Sequence, residues 1–312
     1  MLTQTPLTLC PLPSICFIEA TGPDTETFLN AQLSRNVEGD PLSRSPLTAW
    51  HDSKGRVLAL LRALQSNGKW LLMTHGTHPG VLIQQLSVFI LRDDVQLQDA
   101  SAKWSGAIAL GEIDRWLKDH NSTLGPNPGD ATVTNGMFVI RINSATAYLA
   151  VPEDAFPTIE SQFSMAGREE GELAEIRLGL SNLPPNLAER FLPQMLNLDQ
   201  LGALSFDKGC YPGQEVIARI QNLGSVKRRL FRFSGLLREK PSIGSGLIDP
   251  AGIKVGEILR TARANDQRVE FLAVVKTDTV HEHLVCSEEP GAQITKETLP
   301  TEVSLATTKP QA

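Results

Sequence analysis

Lys208-Gly209-Cys210-Tyr211-Pro212-Gly213-Gln214-Glu215 is the stretch on which the reading of this chain turns. Downstream of it, Val216, Ile217, Ile220 and Leu223 recur at helical spacing, so a helix starts near Gly213, and Gly224 stands where a terminator belongs. Cys210 then lies just ahead of a helix N-terminus. Free amides and the positive end of the helix dipole favour a thiolate there, and Lys208 adds a cation. Glycines at 209 and 213 permit positive φ and close approach of a backbone or ligand. Glu215 complements the dipole and lowers the positive field at the thiol. The same residues read equally as structure, because a lone cysteine is more commonly a small buried side chain.

Working outward, residues 15–20 read as a strand, followed by a helix from Gly22-Pro23-Asp24 to about Leu33, with Thr21 as its cap. Residues 47–51 and 56–64 are strand-like around the turn Asp52-Ser53-Lys54-Gly55, and Asn67-Gly68 turns the chain into 69–74. A helix over about 79–90 and a strand at 95–97 close this first unit. Similar grammar repeats weakly: strand 104–110, helix 113–118, strands 137–142 and 147–151, then helices over 153–165 and 170–178. Asn182-Leu183-Pro184-Pro185-Asn186 breaks the chain. From Lys227 the texture becomes short strands at 229–235, 247–248, 253–259 and 268–275. The pattern predicts α+β architecture with antiparallel sheets. Its units are 1–100, 101–226 containing the motif, a small C-terminal β-barrel over 227–300, and a loose tail over 301–312.

At 312 residues the chain suits two or three compact units, and its 41% hydrophobic and 21% charged residues are ordinary for a globular protein. A net charge of −6 argues against a general nucleic-acid coat, so any RNA contact has to be local. Arg219 with Lys227, Arg228, Arg229 and Arg232 is such a local group, for RNA phosphates or ligand carboxylates, and equally a solvated strand face. Cys10, Cys16, Cys210 and Cys286 lack the spacing of a zinc site or disulfide framework. His281 and His283 read as solvated residues before they read as a metal pair. No apolar run suffices for a membrane span and no secretory leader is evident, so a cytoplasmic protein without membrane contact is expected.

The octet, with Phe191-Leu192-Pro193-Gln194-Met195-Leu196-Asn197-Leu198, Gly202-Ala203-Leu204-Ser205-Phe206 and Val216-Ile217-Ala218-Arg219, resembles the YgfZ-like branch of the glycine-cleavage T-protein superfamily. Further matches are Thr21-Gly22-Pro23-Asp24, Phe28-Leu29-Asn30-Ala31-Gln32-Leu33, His51-Asp52-Ser53-Lys54-Gly55-Arg56 and Val255-Gly256-Glu257-Ile258-Leu259, so the likeness covers about residues 14–290. It implies a three-domain ring around a site for tetrahydrofolate or a derivative, and a role in upkeep of iron-sulfur proteins, including those that modify tRNA. The family's motif cysteine and lysine map onto Cys210 and Lys208, with Gly209, Tyr211, Gly213, Gln214, Glu215 and Arg219 completing the motif. Cys210 would serve as nucleophile or as transient ligand for iron or persulfide sulfur. Aminomethyltransferases carry an Asp-Asp pair after the first glycine-containing turn. Here Arg56-Val57-Leu58-Ala59-Leu60 has no carboxylate, which disfavours a folate-dependent one-carbon transferase. The family's pterin-gripping glutamate aligns with Arg177, and the folate-stacking tryptophans of some YgfZ proteins align with Cys16 and Gly171. Trp50, Phe191 or Tyr211 then offer the aromatic wall, and Gln194 and Asn197 the amides facing the ring. The third reading is a tRNA-binding or scaffold protein using Arg219 and 227–229.

Overall fold

The structure, a computed structural model, describes residues 7–37, 43–66, 68–281 and 283–301, with Leu223 described by its backbone alone. In chain order its elements are β1 (Thr8–Pro11), β2 (Ile15–Thr21), α1 (Thr25–Gln32), β3 (Leu47–His51), β4 (Val57–Ser66), β5 (Lys69–His75), α2 (Pro79–Ser87) and β6 (Gln96–Asp99). Then come β7 (Trp104–Leu110), α3 (Ile113–Asp119), β8 (Ala131–Thr134), β9 (Met137–Asn143), β10 (Thr146–Pro152), α4 (Phe156–Glu160), β11 (Ser164–Met165) and α5 (Arg168–Arg177). After two 3-10 turns, at Pro185–Leu187 and Pro193–Leu196, the chain enters α6 (Gln214–Leu223) and the strands β12 (Arg228–Leu236), β13 (Gly246–Ile248), β14 (Lys254–Arg263), β15 (Arg268–Lys276), β16 (Val285–Cys286) and β17 (Ile294–Glu297).

Three sheets result, with strand orders β3-β4-β5-β2-β6, β11-β1-β7-β10-β9-β8 and β16-β13-β14-β15-β12-β17. Every pairing is antiparallel except β1 with β11, so the α+β expectation holds. The expected C-terminal barrel is a curled half-barrel whose edge strands β16 and β17 do not pair with each other. Strand β1, to which the sequence gives no signal, crosses from the first unit to pair with β7 in the second sheet. The predicted Asn67 turn residue and most of the tail lie outside the described residues.

Strand β4 shows why the first sheet reads as an unbroken apolar run. Ala59, Leu61 and Ala63 pack under the helices, while Leu60 and Leu64 face the other two units, so both faces are buried. The cap of α1 differs from expectation: Asp24, not Thr21, is its N-cap. The Asp24 carboxylate instead accepts from the Asp94 amide at 2.7 Å. The helix expected over 153–165 stops at Glu160, and Ser164–Met165 extends to form β11. The segment between α5 and α6 carries Leu183, Leu187, Phe191, Leu196, Leu198, Leu204 and Tyr211 into one core, which also takes Val57, Leu60, Ile176, Leu259 and Leu272.

A buried carboxylate marks the junction. Glu175 on α5 is fully buried and accepts from the Tyr148 hydroxyl, from Asn182 Nδ2 at 2.9 Å and from Arg260 Nη2 at 2.7 Å. His75 Nε2 lies 3.3 Å away. Arg62 lies over the Tyr148 ring at 5.5 Å and donates to the Ser45 carbonyl at 2.9 Å. Side chains from all three sheets therefore meet on one anion. Burial alone would push the Glu175 pKa up, but the fields of His75 and Arg260 and the hydrogen bonds of Tyr148 and Arg260 hold it well below the usual carboxylate range. Desolvation also pushes His75 down to about 4 and His51 to about 3, so both imidazoles are neutral at pH 7.

These groups make the fold acid-labile. Above about pH 6.5 the buried neutral imidazoles carry no penalty. Between that value and about 4 for His75, or about 3 for His51, the unfolded chain binds protons that the folded chain refuses, so stability falls as pH falls. Below the ordinary carboxylate range, Glu175 adds to the loss in the same direction. Urea unfolding is expected to show midpoints declining through this window, with a shallower slope in His51→Phe. Glu175→Ala, which strands Arg260, is expected to cost about 3–5 kcal/mol at pH 7.

Candidate functional site: the motif loop and its anchors

The motif loop is held at two points. Lys208 Nζ donates to the carbonyls of Asn30, Leu33 and Arg35 at 2.5, 2.9 and 3.0 Å. These are acceptors left over at the end of α1, where a cation also complements the dipole. At the other end, Gly213 has φ +76° and sits against the turn Asp52–Gly55: a Cβ on Gly213 would lie 2.4 Å from Gly55 Cα and 2.6 Å from the Asp52 carbonyl oxygen. Gly55 is itself at φ +76°. Asp52 Oδ1 shapes that turn by accepting from the Lys54 and Arg56 amides at 2.9 and 2.8 Å. Two segments far apart in sequence thus touch backbone to backbone, which glycine alone allows.

Between the anchors, Cys210 is exposed, whereas Cys10 and Cys286 are buried and Cys16 is half-buried. The turn Tyr211–Gly213 separates Cys210 from α6, which begins at Gln214 with Gly213 as its N-cap and Glu215 in its first turn. Lys208 turns its ammonium toward α1 and stands 5.7 Å over the Tyr211 ring. Tyr211 is 5% exposed, its hydroxyl is pushed up to about 12 by burial, and its ring lies 6.1 Å from that of His51. Gly209 stands open, with nothing within 4 Å of where a Cβ would be. Arg219 is exposed on α6, as are Lys227 and Arg228 beyond it. Arg229 is not: it holds Asp199 through two hydrogen bonds of 3.0 and 2.8 Å.

The other residues singled out from the sequence lie elsewhere and are engaged. Gln194 is fully buried and donates to the Ile217 carbonyl at 2.9 Å. Asn197, at φ +58°, donates to the Leu230 carbonyl at 2.8 Å. Arg177 pairs with Glu270 at 2.7 Å and ties α5 to β15. Trp50 is 2% exposed in the core of the first sheet, edge-on to Phe89. His281 and His283 are exposed, and the described residues contain no cluster of three or more metal-ligating side chains.

The residues at the three-unit junction do not fit a pterin. The cavity there measures about 20 Å³ and is lined by Leu60, Arg62, His75, Tyr148 and Ser181 among others. That is room for about one water, against roughly 300 Å³ or more for a small-molecule pocket. At Gly171, even a Cβ would stand 2.9 Å from Cys10 Cβ and 3.0 Å from Leu12 Cδ2, so a tryptophan is sterically excluded. Leu60 lines this cavity, and residues 56–60 offer it no carboxylate.

The two glycines of the motif make a matched pair for mutation. Gly213→Ala is expected to lower stability by about 1–3 kcal/mol or more, because it adds a clash to a strained φ. Gly209→Ala is expected to stay within about 0.5 kcal/mol of the parent. Chemical denaturation of both variants checks the anchor at Gly55.

No protein-family model matches the chain. It is 26% identical over 316 residues to the tRNA-modifying protein YgfZ of Photorhabdus laumondii, covering 95% of this chain and 92% of that one. Against the YgfZ of Colwellia psychrerythraea identity is 27%, over 96% and 95% of the two chains. An uncharacterized protein of Haemophilus influenzae is 29% identical over 272 residues, covering 84% of this chain and 86% of that one. Among solved structures, the glycine cleavage system aminomethyltransferase T from Bartonella henselae aligns with a TM-score of 0.73 across 96% of this chain and 87% of its own, at 14% identity, a likeness of fold alone. Along nearly its whole length the chain is YgfZ-like in sequence, and its three sheets are arranged in the fold of the glycine-cleavage aminomethyltransferases.

Proposed function

We propose that the protein is an accessory factor in tRNA modification that supports iron-sulfur enzymes of that process through the thiol of Cys210. The observation that carries this reading is the exposure of Cys210 on a loop fixed at both ends, while Cys10 and Cys286 are sealed in cores. A thiol that is both accessible and positioned is the arrangement a nucleophile or a transient iron ligand requires. Relatives over the full length are named as tRNA-modifying proteins, which supports the choice of process. Tetrahydrofolate enters on family resemblance alone, and no step is assigned to it, since the junction lacks space for the ring. The one-carbon-transferase alternative has no supporting carboxylate: residues 56–60 contain none, and Glu175 is committed to Arg260.

In cells lacking the native gene, complementation with Cys210→Ala is expected to leave iron-sulfur-dependent methylthiolation of tRNA severalfold below complementation with the parent, measured by nucleoside mass spectrometry. Equal methylthiolation at equal protein levels would remove Cys210 from the function.

A further inference from the structure

An open groove of about 730 Å³ lies beside the entry to the motif loop, between the end of α1 and the residues leading to Lys208. Its floor is apolar: Val37, Pro46, Ala63, Trp70 and Leu204. Polar and charged groups stand at the rim, chiefly Arg35, Arg44 and Asp207, together with the ring of Phe206. Phe206 is 43% exposed, an unusual position for a large apolar ring two residues before the most anchored lysine of the fold.

Arg35 spends one donor on the Gly202 carbonyl at 2.7 Å, and Arg44 reaches Asp130 only at 3.8 Å. The two guanidiniums oppose each other: after burial, the field of Arg44 is the next cause that lowers the Arg35 pKa, partly offset by Asp207. In a protein of net charge −6, two mutually repelling cations over an apolar floor form a local site for an anion attached to a flat ring.

We propose that this groove binds a single-stranded segment of RNA, with one unpaired base stacked on Phe206 over the apolar floor and the flanking phosphates held by Arg35 and Arg44. A stacking aromatic reads the face of a base, which only an unpaired nucleotide presents. Two guanidiniums at one rim can each take a separate phosphate of a backbone. The site lies next to the Asp207-Lys208 approach to Cys210, so bound RNA would sit beside the thiol loop. The proposal deepens the tRNA reading above and relies on it for the choice of tRNA as the RNA.

The test is fluorescence anisotropy of the full chain with a labelled single-stranded RNA oligonucleotide across a salt series, comparing Arg44→Gln and Phe206→Ala. Both side chains are exposed, and thermal melting confirms that the variants fold. Each variant is expected to weaken binding about tenfold, and Arg44→Gln to reduce the slope of log affinity against log salt by about one. An unlabelled mononucleotide or tetrahydrofolate is expected to compete poorly. The proposal is overturned if both variants bind as the parent does, or if affinity is lost only on replacing Arg219, Lys227 and Arg228. Equal competition by either small molecule overturns it in favour of a small-ligand site. If no RNA binds, the groove proposal falls while the role of Cys210, judged by tRNA methylthiolation in cells, stands separately.

Discussion

A carboxylate without water is tolerated only where positive charge and hydrogen-bond donors surround it, and Glu175 recruits these from three sheets at once. Tyr148 comes from β10, His75 and Arg62 from the first sheet, Arg260 from β14. Tyr148 and Arg260 reach the Glu175 carboxylate only when their sheets are seated on α5, so the polar centre favours one mutual arrangement where apolar surfaces alone would tolerate sliding. The apolar segment between α5 and α6 then seals this junction from the outside. The same crowding leaves a cavity of only about 20 Å³ at the junction. The centre of the fold is a structural joint built on Glu175.

The motif shows a comparable division between chemistry and support. From the sequence, Lys208 reads as a cation beside a thiol. In the structure its ammonium completes the end of α1, and the residue acts by fixing where the loop leaves the first unit. Gly213 does the same at the other end. Cys210 is left as the exposed thiol of the loop, without the helix dipole directly at its sulfur, because the turn Tyr211–Gly213 intervenes.

Apolar runs bounded by turn signals were legible before folding: residues 47–51 and 104–110 coincide with β3 and β7. What stayed hidden was short or depended on distant partners. Strands β1, β8, β16 and β17 have two to four residues, too few for periodicity to register, and exist because a neighbour supplies their hydrogen bonds. The joining of β1 to β7 is a tertiary choice with no local mark. Glu175 looks like any polar residue on a helix until Arg260 is brought to it. Arg229, seemingly part of a basic run, is claimed by Asp199 thirty residues away. The groove escapes sequence reading for the same reason, being assembled from residues 35–37, 44, 46, 63, 70 and 204–207.

The anchoring of Lys208 has a consequence for the order of events during synthesis. Its acceptor at Asn30 lies 178 residues earlier in the chain, and closing so long a loop is entropically slow compared with forming any one hairpin. The first unit can bury its own core long before the motif emerges from the ribosome, but the loop bearing Cys210 acquires its geometry only when Lys208 and Gly213 dock onto that unit. A nascent chain whose motif has emerged but has not yet docked on the first unit therefore carries the Cys210 thiol without its posture.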